Sequence, residues 1–195
     1  MRILISIITL FFLFACSNNE QKQNVRAEEE LKAEYMAKGD SITNLTQAEL
    51  LKNVSQAMQQ GGPGYAIEYC NLRALALKDS LSKAHNCEIR RISTKYRNPV
   101  DMAQTESETR QLNNYETAFQ NNEKLMAQVY MFDDRIEYYK PIMLAKDACL
   151  KCHGEPGKDI AEATMVKINE RYPQDLATGF ALNDLRGAWK VTFKK

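Results

Sequence analysis

With 195 residues and 26 basic against 25 acidic side chains, a formal net charge of +1, the chain has no charge surplus for gripping nucleic acid or another polyanion. Once an N-terminal leader and tether are set aside, about 150 residues remain, which is enough for one domain around one core and leaves no need for a second.

The chain opens as an export signal. Arg2 precedes an apolar run from Ile3 to Ala15 that is too short for a permanent membrane span, and Leu13-Phe14-Ala15-Cys16 is similar to a bacterial lipobox. Residues 1–16 are therefore expected to be a lipoprotein signal peptide. Cys16 is the expected lipidated residue, anchoring the chain to a bacterial membrane on the periplasmic or cell-surface side. Ser17 is not the aspartate of an inner-membrane retention signal, which points to the outer membrane. Residues 17–30 are Asn, Gln, Glu and Lys with almost nothing apolar, so they cannot bury surface and read as a flexible tether.

The expected folded domain, 31–195, begins with helices. Leu31 to Lys38 stops at Gly39; a second helix starts at Thr46, where Thr46 and Glu49 have capping-box spacing, and carries Leu50, Leu51, Val54, Ala57 and Met58 on one face. Gly61-Gly62-Pro63-Gly64 ends it. A third helix, about Tyr65 to Leu81, places Ala66, Ile67, Cys70, Ala74 and Leu77 at helical spacing. In an exported protein a thiol on a buried face calls for a partner. Two are available, a disulfide to Cys87 or a haem iron bound as thiolate; the alternative is a free cysteine that serves as a small core hydrophobe.

A short strand is expected over Glu88 to Ser93 and a loop over Lys95 to Pro99. Arg91 and Arg97 are candidates for holding haem propionates, since a guanidinium matches a carboxylate fork; solvated surface charge is the alternative for each. The next helix starts at Thr105 with Glu108 three residues on, and is expected to carry Leu112, Tyr115, Phe119 and Met126 along one face. Gln128 to Phe132 and Arg135 to Tyr139, parted by Asp133 and Asp134, read as a hairpin whose second strand leads through Pro141 and Ile142 to the most informative stretch of the chain.

That stretch is Cys149-Leu150-Lys151-Cys152-His153, the C-x-x-C-H sequence of covalent haem attachment. Two thiols three residues apart lie on one helical turn, where each can add to a vinyl group, and the adjacent imidazole comes up beneath the iron. Cys149 and Cys152 are the expected thioether anchors of one haem c, and His153 the axial ligand. A thiol–disulfide couple or a zinc site fits poorly: no βαβ context surrounds the pair, and no second ligand pair stands at zinc spacing. Beyond the motif, a short helix over Asp159 to Glu170, a loop through Tyr172 and Gly179, and a half-buried strand in which Trp189, Val191 and Phe193 alternate with Lys190, Thr192 and Lys194 complete an α+β pattern.

Several of these stretches together resemble the PAS-like c-type haem domains known from cyanobacteria and other bacteria. They are Ala66-Ile67-Glu68-Tyr69-Cys70, Arg91-Ile92-Ser93 with Arg97-Asn98-Pro99, Tyr139-Lys140-Pro141-Ile142, the Cys149–Gly154 motif, Tyr172-Pro173 with Ala177-Thr178-Gly179, and Arg186-Gly187-Ala188. The resemblance runs from about Thr46 onward. It implies a PAS-like antiparallel sheet flanked by helices, with an N-terminal helical extension, and iron held by His153 and by Cys70. Cys87 has no place in that scheme, and His85, Met126, Met131 and Met143 are the other candidates for the distal position. A thiolate lowers the reduction potential of the iron. The expected function is thus low-potential single-electron transfer by a lipid-anchored monohaem protein exchanging electrons with a redox partner protein. The alternative is a periplasmic redox or gas sensor that exchanges its weaker ligand. A catalytic role is not expected, because no distal acid–base constellation is legible.

Overall fold

The computed structural model describes the backbone over residues 8–195, and the side chains of residues 21–69 and 76–195. Among the described residues, four α-helices, one short 3-10 helix (Pro99–Asp101) and a four-stranded antiparallel sheet occur, the α-helices and strands in the order α1 (Ile8–Ala84), β1 (Glu88–Ile92), α2 (Glu106–Gln120), β2 (Gln128–Met131), β3 (Arg135–Met143), α3 (Asp147–His153), α4 (Glu162–Arg171) and β4 (Leu185–Lys194). The strand order is β1-β4-β3-β2, so the last strand lies in the middle of the sheet. This is the expected α+β architecture with its N-terminal helical extension.

α1 takes in what the sequence divides into several pieces. Residues 21–30, expected as a flexible tether, are helical and exposed throughout. Val25 and Ala27 are their only apolar side chains and both are exposed, so the segment packs on nothing, but Gln, Lys, Ala and Glu favour helix without packing. Gly39 does not stop the helix. A Cβ there would lie 2.2 Å from Cγ of Tyr138, so this glycine is the seat on which α1 meets β3. Thr46 does not start a helix either: its hydroxyl donates back to the Ile42 carbonyl at 2.7 Å, which satisfies a buried side chain in mid-helix. The break comes at Gly61 and Gly62. Gly62, at φ 72° and ψ −168°, occupies a region open essentially to glycine alone. The second arm, 63–84, returns beside the first, and Tyr69 Oη donates to Asn53 Oδ1 at 3.1 Å between them.

Helices cover both faces of the sheet. On one, Ile89, Val129, Ile136, Tyr138, Trp189, Val191 and Phe193 pack with Ile42 and the α1 side chains Leu31, Tyr35, Met36, Leu50 and Leu81. Cys87 joins this cluster as a free thiol; the side chain of Cys70, its expected disulfide partner, lies outside the described residues. On the other face Ile92, Tyr139 and Ala188 meet Leu112 and Tyr115 of α2. β4 is accordingly not half-buried as its alternation suggests: Lys190 is only 6% exposed. It forms ion pairs with Glu108 at 3.1 Å and Glu137 at 3.0 Å. Met126 lies beyond the end of α2 and is exposed.

Candidate functional site

β3 runs out at Met143, and Leu144 is tied to the start of β4 by a pair of backbone bonds with Asp184 and Asn183. α3 starts three residues later and holds the whole C-x-x-C-H sequence in under two turns. Cys149 packs beside Leu144, Ala177 and Phe180, while Cys152 packs beside Ile67, Ile160, Ile168 and Tyr172. The two thiols, both half-buried, thus belong to one helix but to separate apolar clusters.

A helix end leaves carbonyls without partners, and here those of Leu150, Cys152 and His153 are taken up. Residues 177–180 form a strap across the end of α3. Phe180 N donates to the His153 carbonyl at 3.0 Å, and Gly179 N to the Gly154 carbonyl at 2.8 Å. Arg97 Nη2 donates to the Cys152 carbonyl at 2.6 Å. Gly179 has φ 74°, the left-handed conformation that the strap requires. Gly154 allows the following loop to fold back, since a Cβ there would lie 2.5 Å from that of Asp159.

The His153 ring is fixed by the same strap. Its Nδ1 lies 2.8 Å from the Ala177 carbonyl. A carbonyl only accepts, so Nδ1 carries the proton and Nε2 keeps its lone pair, with no hydrogen bond among the described residues. Burial, and then the charges of Arg186, Arg97 and Arg91, push the pKa of His153 well below the ordinary histidine value, against the pull of the Ala177 bond. A neutral, oriented imidazole with one free nitrogen, next to two cysteines on the same helix, is a donor set that fits covalent haem.

The candidate arginines differ in their state. Arg97 is buried, and its Nε and Nη2 grip Asp175 side-on, both at 3.1 Å; Asp175 Oδ1 also accepts from Ala177 N at 2.9 Å. This pair holds the strap. Arg91 pairs with Asp101 at 3.1 Å and lies over the Trp189 ring. Arg186, absent from the expected site residues, joins them. Burial, then the like charges of Arg91 and Arg97, push its pKa down to about 9, so it remains charged at neutral pH. It stands in the Arg186-Gly187-Ala188 stretch of the resemblance, but nothing local marks its role, because the β1–β4 pairing alone carries it to Ser93.

The second arm of α1 carries Cys70, the expected distal ligand. The side chain of Cys70 lies outside the described residues, as does that of Cys16. One turn before Cys70, Ile67 is buried against Ile160, Ile168 and Tyr172 in the cluster that Cys152 joins. Glu68 pairs with Lys167 at 3.3 Å and Arg171 at 3.4 Å of α4, and these bonds hold its carboxyl below the usual range. Of the other distal candidates, His85 is exposed at the turn after α1, and Met131 packs with the α1-facing cluster of the sheet. No helix among the described residues is long and apolar enough to cross a membrane.

The family model described as Tll0287-like matches residues 19–193. Among solved structures the chain is similar to the cyanobacterial heme-protein Tll0287, with a TM-score of 0.63 and 24% identity over 83% of this chain and 96% of that one, a likeness of fold. No curated protein matches.

Proposed function

The chain belongs to the Tll0287-like family, and on that premise we propose that it is a monohaem c-type protein serving low-potential single-electron transfer. Cys149 and Cys152 would carry the thioether bonds and His153 Nε2 the proximal iron bond. Cys70 is the candidate for the second axial position, by its place one turn after Ile67 on the arm that packs against the motif cluster. The bound group supplies one-electron exchange; the chain supplies orientation, burial and charge. The observation that carries this reading is the 2.8 Å bond from His153 Nδ1 to the Ala177 carbonyl, which leaves Nε2 free on a neutral ring beside the two cysteines.

Export and lipidation at Cys16 belong to the same proposal, since the C-x-x-C-H sequence is loaded only outside the cytoplasm. So do an outer-membrane location and a redox partner protein. The sensor reading is favoured by the break at Gly61 and Gly62, which joins the arm bearing Cys70 to the rest of α1 through a glycine hinge.

The test is expression of the mature protein with cytochrome c maturation, followed by absorption and electron paramagnetic resonance spectra of the ferric wild type and Cys70→Ala. Covalent haem with a low-spin thiolate signal that disappears in the variant is the expected result. Absence of covalent haem, or the same signal in both proteins, would overturn the assignment. A ferrous state that stays six-coordinate under carbon monoxide favours electron transfer, and carbon monoxide binding with loss of the thiolate favours sensing.

A further inference from the structure

Arg97 and Arg186 lie in one cluster beside His153, and they present the same side-on edge of the guanidinium differently. In Arg97, Nε and Nη2 are filled by the carboxylate of Asp175. In Arg186 only Nη1 is engaged, donating to Ser93 Oγ at 2.9 Å and to the Lys95 carbonyl at 2.8 Å. Its Nε and Nη2 make no hydrogen bond, and it has no carboxylate partner, among the described residues.

The side chain is nonetheless built in. Ser93 Oγ donates to the Arg186 carbonyl at 2.8 Å while accepting from its Nη1 and from Lys95 N, so one serine holds both ends of the residue. Gly187, at φ 149°, allows this approach, because a Cβ there would lie 2.4 Å from the Ile92 carbonyl. The guanidinium lies 5.5 Å from the centre of the Phe180 ring, whose other close cation is Lys95 at 4.8 Å. Phe180 in turn stands edge-on to His153 at 6.3 Å. A rooted guanidinium with an uncommitted fork, one ring away from the iron-binding imidazole, has the geometry of a carboxylate receptor.

We propose that Arg186, rather than Arg97, is the residue of this chain that receives a haem propionate, and that its charge raises the reduction potential of the site. The inference rests on the haem reading above. Arg97 is excluded because Asp175 already fills its fork. Removing a positive charge next to the site favours the ferric state, which carries one more positive charge than the ferrous.

The test is potentiometry of the haem-loaded full chain for wild type, Arg186→Gln and Arg186→Lys, with paramagnetic resonance as the check on ligation. Expected is a lower midpoint potential in Arg186→Gln with the axial ligand signal retained, and a potential restored most of the way in Arg186→Lys. Should Arg186→Gln fail to accumulate, the resonance Raman propionate bending band of the wild type against Arg186→Lys decides, with a shift expected. Equal potentials in all three proteins, or an unshifted band, would overturn the role of Arg186 while leaving the haem assignment standing. A wild type without covalent haem would overturn both.

Discussion

The two sides of the site are built by different means. On the motif side the protein backbone does the holding: a strap of residues 177–180 bonds to the His153 and Gly154 carbonyls and orients the His153 ring, Gly154 is a seat no side chain fits without movement, and Gly179 holds a left-handed conformation that side chains rarely adopt. On the opposite side, the arm 63–84 is attached through the hinge at Gly62 and located by side chains, namely Ile67 in an apolar cluster, Glu68 between two cations, and Tyr69 on Asn53. Backbone bonds fix one geometry, whereas side-chain contacts can be exchanged one at a time. A ligand that must stay belongs on the first side, and one that must come and go belongs on the second.

The sharpest way to break the motif side is Asp175→Ala. The side chains of Arg97 and Asp175 are 10% and 5% exposed, and removing one partner of a buried pair leaves an uncompensated charge at a cost of about 3–5 kcal/mol. Urea unfolding should register that loss. In the haem-loaded protein the resonance spectrum should broaden as the strap that orients His153 loosens; an unchanged spectrum would sever the strap from ligand orientation. On the other side, Ile67→Ala removes a side chain that is 4% exposed, at a cost of about 2–5 kcal/mol. Here the expected signature is different: covalent haem and the His153 signal persist, while the thiolate signal weakens or becomes heterogeneous. If both variants disturb the spectrum alike, the two sides are one rigid unit and the comparison fails.

How much of this could be read beforehand depended on whether the cause was local. The C-x-x-C-H helix, the hairpin around Asp133 and Asp134 and the break at Gly61 and Gly62 were legible because turn chemistry and ligand spacing act within a few residues. The sequence Thr-x-x-Glu occurs at both Thr46 and Thr105, and only the second is a cap: Thr105 accepts from Glu108 N at 3.2 Å. At Thr46 the helix simply continues, and what holds that stretch is the approach of Gly39 to Tyr138, a contact about a hundred residues apart in sequence. Lys190 and Arg186 were missed for a similar reason. A lysine in an alternating strand reads as outward-facing until Glu108 of α2 is known to cover it, and Arg186 reaches Ser93 only through strand pairing.

The smallest effect distinguishes the two sides by pH. The first arm, against which the second lies, is latched to β3 by Asp40, which accepts from Tyr138 Oη and Lys140 Nζ, each at 2.7 Å. Burial raises the Asp40 pKa, but the bonds from Lys140 and Tyr138 outweigh it, and the carboxyl titrates below the ordinary aspartate value. The unfolded chain therefore binds the proton more readily. The latch contributes fully above the ordinary value and is lost as pH falls through the depressed one. With the carboxylate 43% exposed, solvent screening limits that contribution to less than about 1 kcal/mol. Glu137, held low against its own burial by Arg135, Lys190 and Tyr139, adds a second acid-labile contribution on the α2 face. Asp40→Asn should thus make the fall in stability between pH of about 6 and about 3 shallower without abolishing it. In wild type the thiolate signal should weaken on acidification before covalent haem and the His153 signal change, because the latch serves the arm and not the strap. An acid transition that strikes both signals together, unaltered in Asp40→Asn, would show that the latch does not govern the distal side.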